Sequence, residues 1–334
     1  MKRFHDYSLL RHNTFGIDVK ADEFIEYESV DELKSILSEL RGRKRLHIGC
    51  GSNLLFTEDY HGVILHCGIK FINVKDSDTD SVALTVGAGV VWDELVDYTV
   101  RQGWGGLANL SLIPGEVGAA AVQNIGAYGA EAKDVISAIT AIDLNTGELR
   151  HFLNQECRYA YRQSIFKNEL KELYAITEVE FRISKKVPDD LTYGNLYKAM
   201  EGKTVTPATL RQTVIDIRNS KLPQPEQLGN AGSFFMNPVV PEEVFERLHS
   251  QYPDMPFFSA PGGVKIPAGW LIEKAGWKGR SLGDAAVYSK QALVIVNLKH
   301  GITNADHIIN LCKAVVADVK EKFGIDITPE VNFI

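Results

Sequence analysis

Apolar residues recur at helical spacing in several stretches of this chain. Between residues 31 and 40, Leu33, Ile36, Leu37 and Leu40 share one face, which predicts an amphipathic helix. Trp92, Leu95, Val96 and Val100 give a second helix its apolar side. Leu210, Val214 and Ile217 give a third, opened by Thr206 as N-cap with Pro207 at the first helical position. The longest pattern runs through Ile308, Cys312, Val315, Val319 and Phe323, with Thr303 expected to cap it and Gly324 to stop it. Residues 46–48, 82–86 and 292–298 read as apolar strands. Ala175, Thr177, Val179, Phe181 and Ile183 alternate as a half-buried strand does. The polar stretch 184–190, which contains a proline, reads as a linker. No repeat or low-complexity tract interrupts the pattern.

At 334 residues the chain is long enough for two or three domains. Hydrophobic residues make up 45% and charged residues 24%, as in ordinary globular proteins. The net charge of −7 gives no basic footprint for nucleic acid, and the short run from Arg41 to Arg45 reads as a solvated helix end. No apolar run approaches the ~18 residues of a membrane span. The four cysteines form no Cys-x-x-Cys pair, which fits reduced thiols in a cytoplasmic protein. The nine histidines show no metal-ligand spacing, so no metal is expected. A monomer is the default expectation.

Glycine is unevenly spread. Gly103, Gly105, Gly106, Gly115, Gly118, Gly126 and Gly129 take 7 of the 28 glycines in about a twelfth of the chain. A second cluster is Gly49-Cys50-Gly51-Ser52-Asn53. Such backbone can approach a ligand closely and form an anion-binding nest. It is not a dinucleotide fingerprint, because the third glycine position is Leu54. Nor is Gly202-Lys203-Thr204 a P-loop, because Tyr197 stands where the upstream glycine belongs. In the segment from Ile113 to Gly129, a Pro-Gly turn leads into small residues, then two amides and another glycine pair. That order suggests a helix start offering free N–H groups to a pyrophosphate.

This segment resembles the flavin-binding stretch of the UDP-N-acetylenolpyruvoylglucosamine reductase family. Further similar segments follow in order along nearly the whole chain. They are Asn13-Thr14-Phe15-Gly16, Ile48-Gly49-Cys50-Gly51-Ser52-Asn53-Leu54-Leu55 and Tyr161-Arg162-Gln163-Ser164-Ile165-Phe166-Lys167. Gly229-Asn230-Ala231-Gly232-Ser233-Phe234-Phe235, Ile266-Pro267-Ala268-Gly269-Trp270-Leu271-Ile272-Glu273 and Pro329-Glu330-Val331 complete the series. The resemblance implies an α+β fold. Residues 1–185 would form a two-part FAD-binding domain of the vanillyl-alcohol-oxidase (PCMH) type. Residues 186–205 would hold a linker and a tyrosine loop, and 206–334 a C-terminal α+β substrate-binding domain.

It also implies a cytoplasmic enzyme of peptidoglycan precursor synthesis. NADPH reduces noncovalent FAD. Reduced flavin N5 delivers hydride to C3 of the enolpyruvyl group of the UDP-sugar, and C2 is protonated to give UDP-N-acetylmuramate. By resemblance Ser233 is the proton donor, Arg162 the carboxylate-holding cation and Glu330 the third catalytic group. Lys221 would support Ser233 if the chain folds back. Gly49, Cys50, Gly51, Ser52, Asn53, Pro114, Gly115, Gly118, Gln123, Asn124, Gly126 and Ala127 match cofactor positions. Tyr128, Tyr193, Arg218, Lys221, Asn237 and Gln291 match substrate positions, with Tyr193 on a loop found in one subtype. Two positions depart from the family pattern: Asn332 stands where arginine is frequent, and Met236 where a basic residue is. An alcohol or lactone oxidase of the same flavin-binding superfamily is the competing expectation, because His66-Cys67-Gly68 would allow a tethered flavin.

Overall fold

The computed structural model describes residues 1–192 and 196–334. Two compact units emerge. The first comprises Met1–Tyr7, Ala21–Cys50 and His61–Arg218. The second comprises Ser8–Lys20, Gly51–Tyr60 and Asn219–Ile334.

The first unit contains two sheets. One has the strand order Lys2–Ser8, Lys20–Tyr27, Tyr60–Cys67, Arg45–Ile48, with the last pair parallel. The helix Val30–Leu40 joins Lys20–Tyr27 to Arg45–Ile48 and buries Leu33, Ile36, Leu37 and Leu40, as its spacing predicts. It starts one residue earlier than the apolar pattern, because Ser29 accepts the Glu32 N–H as N-cap. The other sheet is five-stranded and antiparallel throughout: Leu149–Leu153, Ile136–Asp143, Tyr174–Ser184, Ser81–Gly87, Ile72–Ser77. The alternating run from Ala175 to Ile183 is its central strand, burying all five predicted positions. Trp92–Arg101 and the short helix Val117–Gln123 add their buried residues to the same core.

The second unit is built on a four-stranded sheet, Gly229–Asn230, Ile295–Asn297, Ala285–Val287, Ser281–Leu282. The helix Ala305–Phe323 buries Ile308, Leu311, Cys312, Val315, Val319 and Phe323. Gly324 ends it in the left-handed conformation, as expected. The cap is Asn304 instead of Thr303: Asn304 accepts the Asp306 N–H, while Thr303 is buried. The strand expected over 292–298 shrinks to Ile295–Asn297. Val294 N–H turns back on Gln291 O, and Leu293 O accepts Phe234 N–H. The helix Pro207–Lys221 begins as expected, with Thr206 Oγ1 accepting the Thr209 N–H. No helix among the described residues is long and apolar enough to cross a membrane.

Candidate active site

The glycine-rich segment folds into a helix followed by a hairpin. Gly126–Ala127 pairs with Ala130–Glu131 around Tyr128 and Gly129. Both turn residues have positive φ, +48° and +81°, the requirement of the tightest hairpin turns. Gly126 is necessary here. A Cβ on it would lie 2.8 Å from Ala130 O and 3.1 Å from Arg162 Nη1. Arg162 reaches the same place, donating Nη2 to Gly126 O at 2.8 Å and Nη1 to Asn124 O at 3.3 Å. Asn124 is wholly buried. Its amide donates to Glu131 and to Ala160 O, and its Oδ1 accepts Lys133 N–H. The expected cofactor-binding side chain is thus spent inside the protein, and Asn124 contributes by organising the carbonyls that hold Arg162.

Leu112, Asn124, Tyr128 and Arg162 all take left-handed φ, between +48° and +58°. Such conformations are uncommon outside glycine and concentrate where function dictates geometry.

At the start of Val117–Gln123 the expected free amides are not free. Val117 N–H donates to Val90 O and Gly118 N–H to Ala88 O, both at 2.9 Å. A Cβ on Gly118 would stand 2.9 Å from Ala88 Cβ, so this glycine serves helix–strand packing. Gly115 is likewise interior, with its carbonyl taken by Trp92 N–H. The helix start meets the other glycine cluster at Ala119, which is exposed. A Cβ on Gly49 would lie 3.1 Å from Ala119 Cβ and 3.2 Å from Glu116 Oε2. Gly49 and Cys50 belong to the first unit. Gly51, Ser52 and Asn53 begin the returning segment of the second, where Asn53 O accepts both Asn332 N–H and Asn332 Nδ2.

Asp93 organises the approach to this region. It accepts Arg211 at 2.7 and 2.8 Å and Leu112 N–H at 2.6 Å. Leu112 O then accepts Arg218 Nε at 3.2 Å. Burial lowers the pKa of Arg218 from the ordinary arginine value, with Tyr128 and Asp93 opposing. Pro114 lies exposed between these elements and Gln123 half-buried.

In the second unit, Phe234 N–H donates to Leu293 O and Glu330 N–H to Phe234 O, which holds Ser233 and Glu330 on adjoining backbone. Ser233 is exposed and Glu330 half-buried. No hydrogen bond joins Lys221 to Ser233 among the described residues. Asn237 Oδ1 accepts Ala268 N–H at 2.9 Å, and Gln291 Oε1 lies 3.3 Å from the Cβ position of Gly269. These two substrate candidates therefore flank one helix start, that of Ala268–Lys274. Tyr193 lies outside the described residues.

The surroundings fit FAD. Gly49 and Ala119 meet with almost no side chain between them, a Cβ on Gly49 lying 3.1 Å from Ala119 Cβ, and Asn109 Oδ1 is buried with no hydrogen-bond partner. A tether through His66 or Cys67 does not fit. Both His66 ring nitrogens are engaged by carboxylates, and burial pushes the Cys67 thiol up to about 11. No group of three or more potential metal ligands occurs among the described residues. Reasoning from sequence missed the Asp93–Arg211 pair and the carboxylates around His66. Glu116, a lone charge inside a run of small residues, was the one available signal.

Residues 224–334 match the family profile described as UDP-N-acetylenolpyruvoylglucosamine reductase, C-terminal domain, and residues 21–153 match an FAD binding domain. UDP-N-acetylenolpyruvoylglucosamine reductase of Bacteroides fragilis is 53% identical over 331 residues, covering 98% of this chain and 99% of that one. The Porphyromonas gingivalis reductase is 46% identical over 334 residues, covering 98% of each. Among solved structures, the Thermus caldophilus UDP-N-acetylenolpyruvylglucosamine reductase superposes with a TM-score of 0.70 at 22% identity. It covers 99% of this chain and 98% of that one, a likeness of fold. The α+β class expected from sequence, a flavin-binding part followed by a C-terminal domain, holds.

Proposed function

The chain belongs to the UDP-N-acetylenolpyruvoylglucosamine reductase family, and from that membership we propose that it reduces UDP-N-acetylenolpyruvoylglucosamine to UDP-N-acetylmuramate in peptidoglycan precursor synthesis, with NADPH as reductant. It is an FAD-containing oxidoreductase. Bound FAD, once reduced by NADPH, would supply the hydride that C3 of the enolpyruvyl group receives. Gly49 to Asn53, with Ala119, Gln123 and the hairpin residues Gly126 and Ala127, would hold it. In this reading residues 1–185 carry the flavin and 206–334 the UDP-sugar.

The observation that carries the reading is the seating of Arg162. Two carbonyls, Asn124 O and Gly126 O, accept hydrogen bonds from its guanidinium and fix its plane. A planar cation held in this way suits a substrate carboxylate that gains charge as the enol ether is reduced. Ser233 then gives a proton to C2, and Glu330 assists the proton's movement. Arg218 would meet the substrate diphosphate. Lys221, Asn237, Gln291, Tyr128 and Tyr193 would complete the UDP-sugar site.

The test is NADPH oxidation by the holoenzyme with and without UDP-N-acetylenolpyruvoylglucosamine. Substrate-dependent consumption is expected, with parallel initial-rate lines if one pocket serves both ligands in turn. Flavin reduction by NADPH with no turnover of that substrate would overturn the reading.

A further inference from the structure

Six titratable side chains that this chemistry does not use form one cluster, which reaches Gly49 through Glu116: Glu26, Tyr27, His47, His66, Cys67 and Glu116. His66 is the centre. It is buried, with Nδ1 2.9 Å from Glu26 Oε2 and Nε2 2.8 Å from Glu116 Oε1. A ring that faces carboxylate oxygens at both nitrogens satisfies both contacts only when each nitrogen carries a proton, that is, as imidazolium. Glu116 faces two ways. One carboxylate oxygen takes His66, and the other lies 3.2 Å from the Cβ position of Gly49. Its backbone carbonyl accepts Ala120 N–H and so belongs to the start of Val117–Gln123. A lone carboxylate in that place would repel any phosphate brought against Gly49 and Ala119.

We propose that His66, bridging Glu26 and Glu116 as an imidazolium, is the positioning and charge-cancelling residue of the flavin diphosphate cradle. It holds Glu116 against the Gly49 turn and removes the repulsion that Glu116 would exert on the diphosphate. The inference rests on the reading that Gly49 and Ala119 take the flavin diphosphate.

It makes FAD retention depend on pH, and the neighbouring groups identify the cause. Burial works against the His66 charge, but the Glu116 and Glu26 carboxylates outweigh it and raise the pKa. Burial and the His66 charge lower His47 to about 4, so it stays neutral above that pH. Burial pushes Cys67 to about 11 and Tyr27 well above its ordinary value, so both keep their protons. Burial opposes ionisation of Glu26, yet Lys2 and His66 lower its pKa, and it stays charged. As pH rises above the ordinary histidine value, about 6.5, His66 is therefore the group of this cluster whose loss of charge the carboxylates delay. FAD is held fully below the His66 pKa and more weakly as pH rises through it.

The experiment dilutes holoenzyme and reads released flavin by fluorescence at about pH 6.5 and about pH 9. Wild type should bind FAD on the order of tenfold more weakly at the higher pH. Glu116→Gln removes the repelling charge and should give the same affinity at both. His66→Gln should bind weakly at both. Gly49→Val fills the cradle and should lose FAD throughout. A wild type with no pH dependence, or a Glu116→Gln variant that keeps it, overturns the proposal even if His66→Gln does not fold. Retention of FAD by Gly49→Val instead overturns the placement of the diphosphate, a separate failure.

Discussion

Asp93 receives the Arg211 guanidinium through two parallel hydrogen bonds, Nη1 to Oδ1 at 2.7 Å and Nη2 to Oδ2 at 2.8 Å, across 118 residues of sequence. The same carboxylate accepts Leu112 N–H, so a single ion pair fixes a left-handed leucine whose carbonyl holds Arg218. Arg211 and Arg218 lie seven residues apart, two turns on one face of the same helix.

Asp93→Asn should destabilise the protein by about 2 kcal/mol, because Arg211 is left largely buried, with Asp97 as its remaining carboxylate among the described residues, at 3.5 Å. Burial opposes ionisation of Asp93, but Arg211 and the Leu112 N–H outweigh it and lower the pKa. A depressed carboxylate stabilises above its unfolded pKa, about 3.9, and loses that contribution as pH falls through the folded value. Urea unfolding should show a constant gap between wild type and variant from neutrality to about pH 4, closing below it. A gap that widens in acid contradicts the assignment.

Gly126→Ala should strike activity harder than stability. The new methyl would press on Ala130 O and on the Arg162 guanidinium, moving a proposed catalytic cation by a fraction of an ångström. A fall in kcat between about tenfold and 10²-fold is expected, larger than any loss of FAD. Gly42→Ala is the control. It meets nothing within 4 Å, and its φ of +76° should cost only about 1 kcal/mol of stability. Steady-state kinetics and flavin absorbance of the two variants decide the matter.

Why some of this was legible in the sequence and some was not follows from the kind of signal each feature carries. Helix Ala305–Phe323 and strand Tyr174–Ser184 repeat their apolar residues at 3.6 and 2.0, so their buried faces could be read directly. Residues 292–298 carry an equally apolar run, but Val294 closes a turn on Gln291 and only three residues pair. Periodicity cannot see a local hydrogen bond that stops a strand. The glycine clusters announced close backbone approach. They did not announce that Val117 and Gly118 N–H would be taken by Val90 and Ala88. Pairs such as His66–Glu116, fifty residues apart, have no periodic signature at all.

Ser233→Ala should separate the two half-reactions. Reduction of the flavin by NADPH asks nothing of a proton donor to C2 and should proceed at nearly the wild-type rate. Reoxidation by the UDP-sugar should slow by about 10² or more. Stopped-flow absorbance of the flavin reads both halves, and equal losses in the two would remove Ser233 from the proton-donor role.

Denaturation should release the yellow colour from the chain. His66 has both nitrogens against carboxylates and Cys67 is buried, so neither is placed to bond a flavin carbon. After acid precipitation, flavin absorbance is expected in the supernatant, and colour in the pellet would revive the tethered-flavin oxidase as a reading.

Acid stability should also carry the signature of His47. Its Nε2 lies 2.6 Å from Tyr27 Oη, which donates to it while the ring is neutral. Burial, reinforced by the nearby His66 charge, lowers its pKa to about 4. The unfolded chain then binds a proton between about pH 6.5 and about pH 4 that the folded chain refuses, so stability falls as pH drops through that window. Below about pH 4 both states are protonated and this contribution levels off. The window spans more than two pH units, which corresponds to a loss on the order of 2–3 kcal/mol. His47→Gln cannot take up that proton and should flatten this limb of the urea-unfolding profile, while leaving the alkaline limb to His66. An acid limb of unchanged slope in the variant would assign the loss to other groups.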